Sequence, residues 1–163
     1  MTVRDPALLV IAPEHVETMA AHARTWYPGE CCGLLITGAD DSVVRRVICM
    51  DNLQDTYHER FPEDFPRTSR DGFKLDERAY ARIDADARAA GERVLAIFHS
   101  HIDCGAYFSD EDKAMAAPFG EPNQPELCHV VLDCQPGPTV VGAKAFRWDG
   151  SDFAEHRLPD FAH

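Results

Sequence analysis

"FHSHIDCGAYFSDED", residues 98–112, decides how the rest of the chain is read. The unbroken apolar run from Val94 to Phe98 leads into it and predicts a central strand covered on both faces. Alternate side chains of an extended backbone share a face, so His99 and His101 project side by side, one strand step apart. Two imidazoles held in this way can ligate one cation. Ser109 stands at a helix N-cap position and Asp112 falls three residues later, in the first turn. The loop 102–108, which contains Gly105, is long enough to fold that turn back over the histidines and makes Asp112 the natural third ligand. Two nitrogens and one carboxylate oxygen are the ligand set of a catalytic zinc with its fourth position open to water. Bound there, water has a pKa of about 7 instead of about 15.7. A plainer reading also exists. Ser-x-x-Asp is close to a capping box, and His-x-His by itself is a weak signal. The joint occurrence of strand, histidine pair, seven-residue loop and Ser-x-x-Asp favours the metal.

A metal-bound water needs a proton acceptor that can later serve the leaving amine. Spacing does not locate it, but Glu30 is the acid of interest. It sits between the Pro28-Gly29 turn and the buried run "CCGLLI", where an inward-facing carboxylate is possible.

Around these residues the elements alternate in type. Leu8 to Ile11 reads as a short strand, and Pro13 opens a helix at about residue 14 whose apolar face is Val16, Met19, Ala20, Ala23 and Trp26. "ECCGLLI" and Val43 to Met50 form two strands of a hairpin. Residues 51–75 show no period and are read as a long loop, functional or mobile. Within it, Phe61, Phe65 and Phe73 either clamp an extended substrate tail or fill core, with core expected for at least two. Asp76 caps a helix with Ala79, Tyr80, Ile83, Ala87 and Ala90 inward and Gly91 as its stop. A short helix runs from about Asp110 to Pro118, followed by strands in "LCHVVLDC", "TVVGAKAFRW" and "DFAEHRL". The expected fold is one α/β (α+β) domain spanning residues 1–163, a mixed curved sheet flanked by helices.

Composition narrows the function. The chain has 163 residues, enough to bury roughly 70% of the surface exposed on unfolding, so neither a disulfide nor a structural metal is required for folding. Sixteen basic and 28 acidic residues give a net charge of −12, which repels nucleic acid and anionic lipid. The four-residue apolar run near the N-terminus is too short for a secretory or membrane segment, and a cytoplasmic location is expected. Six cysteines contain no Cys-x-x-Cys pair. Most are expected to be small buried hydrophobes, and Cys104 to be an inert loop thiol or a sensor of oxidation beside the metal.

"YPGECCGLLITG" and "HSHIDCGAYFSDED" together resemble the JAMM, or MPN-plus, metallopeptidase family. Its pattern is a glutamate opening a strand with glycines behind it, then H-[ST]-H, seven residues and S-x-x-D. Glu30, Gly33, Gly38, His99, Ser100, His101, Ser109 and Asp112 supply every element. The resemblance implies a zinc peptidase or isopeptidase that acts on a ubiquitin-like protein, with one zinc per chain held by His99, His101 and Asp112. It further implies that Glu30 is the general base and acid, that Ser109 donates to the oxyanion, and that Ser100 is structural. The compact chain and its Ala-Tyr-Phe segment before Ser109 look like the small prokaryotic members that process ubiquitin-like sulfur carrier proteins. A catalytically silent scaffold of the same fold, binding a ubiquitin-like partner, is the alternative. Other zinc hydrolases fit less well: the deaminase signature is absent, and His58-Glu59 meets Pro62 where the second histidine of H-E-x-x-H belongs. The C-terminal strands leave a homodimer possible. Substrate identity and the choice between peptide and isopeptide cleavage are not readable from the residues.

Overall fold

The structure, a computed structural model, describes residues 8–161. Its centre is a six-stranded sheet in the order β2-β1-β3-β4-β5-β6. In chain order the strands are β1 (Cys32–Gly38), β2 (Val44–Met50), β3 (Glu92–Ile102), β4 (Cys128–Gln135), β5 (Thr139–Trp148) and β6 (Phe153–Arg157). β3 and β4 pair in parallel and every other neighbouring pair is antiparallel, so the expected mixed sheet is present. Four helices accompany it among the described residues: α1 (Pro13–Trp26), α2 (Gln54–Arg60), α3 (Glu77–Ala89) and α4 (Asp110–Ala116).

The two faces of the sheet are covered by different elements. Cys31, Leu35, Phe98 and Val130 pack with Met19 and Ala23 of α1 on one side. Cys32, Leu34 and Ile36 pack with Ala87, Tyr80 and Ile83 of α3 on the other. The adjacent cysteines therefore enter opposite cores, as period two requires. All six cysteines are free, and Cys49 and Cys104 are the exposed ones. Gly33 is required by contact: a Cβ there would fall against the Ile48 carbonyl oxygen and within 2.5 Å of the Phe98 ring.

A parallel pair needs a crossover connection. Residues 103–127 supply it, leaving the carboxyl end of β3, forming α4 and returning to the start of β4. The crossover thus passes beside the carboxyl ends of two parallel strands, the position where α/β sheets place ligands.

The structure corrects three expectations. Leu8 to Ile11 is no strand of the sheet; Val10 makes one isolated bridge to Val43, while Leu9 and Ile11 are buried against α1. Residues 51–75 contain the helix α2, whose only buried residue is Gln54 and which has no side-chain cap from Leu53. Of the three phenylalanines only Phe73 joins a core cluster; Phe65 is half-buried against Tyr57, and Phe61 is 51% exposed.

What orders this segment is Asn52, which is buried. Its side chain accepts from the Gln54 and Lys74 amides at 3.0 and 2.9 Å and donates to the Glu30 and Gly72 carbonyls at 2.9 and 3.0 Å. Four backbone groups lose their partner if it is truncated. Asn52→Ala is expected to destabilise the fold by about 2–4 kcal/mol, read as a lower urea midpoint at unchanged slope.

Candidate metal centre

β3 continues through both histidines to Ile102, so His99 and His101 lie within a hydrogen-bonded strand. They share the face that carries Ile97, opposite Phe98 and Ser100. Ser100 turns away and its hydroxyl accepts from the Cys31 amide at 2.8 Å, a structural role tying β3 to β1. The Phe73 ring stacks on His99 at 4.4 Å, and the Tyr107 ring meets His101 edge-on at 4.6 Å. Both imidazoles are buried, His99 at 1% exposure. Burial holds His99 below its usual pKa despite the opposing pull of Asp112. His101 Nδ1 lies 3.2 Å from the Gly105 carbonyl oxygen. An N–H donated there leaves Nε2 with its lone pair free for a cation.

The chain reverses after β3 through Asp103 and Gly105, both with positive φ, at 59° and 87°. The Asp103 carboxylate accepts from the Tyr27 hydroxyl at 3.0 Å, which anchors the turn to the end of α1. α4 then starts at Ser109 with a complete capping box. The Asp112 amide donates to Ser109 Oγ at 3.0 Å, and the Ser109 amide donates to Asp112 Oδ2 at 3.0 Å. The same Oδ2 lies 3.3 Å from His99 Nε2 and 3.2 Å from His101 Nε2, and the two nitrogens are 3.2 Å apart. Helix cap and ligand position are thus one carboxylate seen from two sides.

These three atoms form a nearly equilateral triangle. Ligands about 2.0–2.1 Å from a tetrahedral ion stand about 3.3 Å apart, so the triangle has the dimensions of three corners around one zinc. Glu30 is 5% exposed and offers a carboxylate oxygen within 4.8 Å of a nitrogen of each histidine. Unlike Asp112, it makes no hydrogen bond to either imidazole among the described residues, but with the two histidines it forms a second possible ligand trio. Its main chain is pinned by Asn52 and by Ser69, whose carbonyl accepts the Glu30 amide at 2.6 Å. The role of Asn52 and the stacking of Phe73 on His99 were not foreseen, and no motif marks them.

The two carboxylates differ electrostatically. Burial opposes charge on Asp112, yet hydrogen bonds from His101 and His99 outweigh it and hold the group far below the ordinary carboxylate range. Burial, followed by repulsion from Asp112 and Asp71, pushes Glu30 up to about 9. In the metal-free protein Glu30 therefore keeps a proton in the folded chain that it has lost in the unfolded chain between pH 4.5 and about 9, and its contribution to stability falls progressively as pH rises through that window. Glu30→Gln removes the penalty. In metal-free protein it is expected to stabilise by on the order of a few kcal/mol at pH 8, with the gain shrinking toward pH 5, as measured by urea unfolding at both values.

Beside the cluster opens a polar cleft of about 390 Å³ lined by Glu30, Arg67, Asp71, His101, Cys104 and Ser109. Arg67 pairs with Glu111 at 2.7 Å across its rim, linking the 51–75 segment to α4. All five residues singled out in the sequence, Glu30, His99, His101, Ser109 and Asp112, meet at this place. The family described as prokaryotic homologs of the JAB domain matches residues 12–149, a span that holds every one of them. The chain belongs to the prokaryotic JAB-domain family. Its fold agrees. The JAB-type chain is similar to the solution structure of protein DSY2949 from Desulfitobacterium hafniense, with 29% identity, a TM-score of 0.66, and coverage of 90% of this chain and 88% of that one. A Salinibacter ruber protein aligns at 22% identity and TM-score 0.60, covering 92% and 90%. AF2198, a JAB1/MPN domain protein from Archaeoglobus fulgidus, aligns at 15% and 0.50, covering 92% and 97%. No curated protein matches this JAB-domain chain. No helix among its described residues is long and apolar enough to cross a membrane.

Proposed function

We propose that this JAB-domain protein is a zinc-dependent peptidase or isopeptidase that cleaves after the C-terminal glycines of a ubiquitin-like or sulfur carrier protein in the cytoplasm. The observation that carries the reading is the donor triangle of His99, His101 and Asp112 with the buried Glu30 carboxylate within 4.8 Å of both histidines. Zinc held there would supply a Lewis acid and a water acidic enough to ionise near pH 7.

The protein's own groups divide the remaining work. Glu30 takes a proton from the attacking water and passes it to the departing amine. A buried carboxyl pushed up to about 9 holds its proton at neutral pH in the metal-free chain, and a divalent ion bound beside it would favour the ionised form that can accept a proton. Ser109 Oγ has one lone pair engaged by the Asp112 amide and its hydroxyl proton free, which suits it to donate to the developing oxyanion. Phe73 and Tyr107 hold the imidazoles and keep water from their faces.

The test is cleavage of a ubiquitin-like protein extended by several residues beyond its two glycines. Zinc-loaded protein is expected to release the extension, chelation to stop release, and added zinc to restore it. One zinc per chain without release from any carrier tested would support the silent scaffold instead.

A further inference from the structure

The Glu30 carboxylate has no hydrogen-bond partner among the described residues, so its aim at the histidines is set by the main chain on either side of it. Asn52 Nδ2 donates to the Glu30 carbonyl at 2.9 Å, and the Glu30 amide donates to the Ser69 carbonyl at 2.6 Å. The next residue is fixed as well, since the Cys31 amide donates to the Ser100 hydroxyl at 2.8 Å. Asn52 and Ser100 are buried, whereas Ser69 belongs to the irregular segment between α2 and α3. Ser69 also packs against the residue before Glu30: a Cβ on Gly29 would meet Ser69 Oγ at 3.0 Å. The placement of Glu30 therefore depends on what holds Ser69.

Asp55, in the first turn of α2, holds it. Its Oδ1 accepts from the Ser69 amide at 2.7 Å and its Oδ2 from the Ser69 hydroxyl at 2.8 Å. Both bonds end on a carboxylate, which makes them shorter and stronger than bonds between neutral groups, and together they fix the orientation of the serine. This also accounts for α2, whose seven residues bury only Gln54 and carry no side-chain cap. Burial does not explain such a helix. Its first turn instead delivers side chains to the facing segment: Gln54 Nε2 donates to the Arg67 carbonyl at 3.0 Å, and Asp55 grips Ser69 two residues later. We infer that Asp55 is a positioning residue for Glu30: by gripping Ser69 through its amide and hydroxyl, it presents the Ser69 carbonyl to the Glu30 amide and so aims the Glu30 carboxylate at the metal cluster. The inference rests on the peptidase reading for the role of Glu30 as base, but the positioning itself can be measured without turnover.

Asp55 is exposed, so its removal leaves the fold standing. In zinc-loaded protein acting on the extended carrier, Asp55→Ala is expected to keep one zinc per chain, to lower kcat about 10- to 100-fold and to leave KM within about 2-fold, the pattern of a displaced catalytic group. Asp55→Asn should recover most of the rate, because its amide oxygen can accept from the Ser69 amide and its NH2 can donate to the hydroxyl. Glu59→Ala, at an exposed position of the same helix, should match wild type. Placed in Glu30→Gln protein, Asp55→Ala should cost less than about 2-fold, since two residues that act through one group do not add. Hydrogen exchange supplies the reading that needs no turnover: in zinc-loaded Asp55→Ala the Glu30 amide is expected to exchange roughly 10-fold faster while the β4 amides are unchanged. An unchanged Glu30 amide, loss of zinc, or an equal rate loss with and without the Glu30 carboxylate overturns the inference. A faster Glu30 amide in Asp55→Ala, beside a zinc-loaded wild type that cleaves no carrier, leaves the positioning standing and defeats the peptidase reading.

Discussion

Glu30→Gln is expected to retain zinc at one per chain and to lose about 100- to 10,000-fold in cleavage rate, the range ascribed to a positioned general acid–base group. The expectation follows from position. Glu30 is buried, lies within 4.8 Å of the histidine donors, and makes no hydrogen bond to them, so its removal takes away a proton carrier without removing a ligand. The variant should also fold at least as well as wild type, because the amide ends the cost of a buried carboxyl. Rate assays alongside metal analysis check it. Full activity would remove Glu30 from the chemistry, and loss of zinc would make it a ligand.

Asp112→Ala is expected to lose zinc and cleavage together, with affinity falling by about 100-fold or more, and also to destabilise the metal-free protein by roughly 1 kcal/mol through loss of the capping box. The two effects separate in Asp112→Asn. Its amide oxygen can still accept from the Ser109 amide, so the cap is kept and only the charge is lost, while a neutral oxygen binds zinc poorly. Zinc titration and urea unfolding of both variants read the two roles independently. This pair also tests the competing donor set of Glu30, His99 and His101. Were those the ligands, the aspartate variants would hold zinc and the glutamine variant would release it.

The candidate site was legible because its residues obey local rules. Strand period two sets His99 beside His101, and N-cap geometry sets Asp112 against Ser109. Seven intervening residues suffice to bring the cap back over the strand. Glu30 was legible as an acid entering a buried strand, although its approach to the histidines depends on β1 pairing with β3, with Cys32 opposite His99. The segment 51–75 was not legible. α2 has seven residues, no side-chain cap and only Gln54 buried, and its order comes from Asn52 reaching Glu30, Gly72 and Lys74 across the chain. Such long-range hydrogen bonds leave no periodic trace. Leu8 to Ile11 has the composition of a strand, but only Val10 finds a bridge partner, and burial of Leu9 and Ile11 accounts for the apolar pattern.

The most direct test of the account is anomalous diffraction across the zinc edge from crystals of zinc-loaded protein. A single peak is predicted, bounded by His99 Nε2, His101 Nε2 and Asp112 Oδ2, with Glu30 outside bonding distance. A peak held elsewhere, or no peak with the Asp112 carboxylate turned toward solvent, would contradict it.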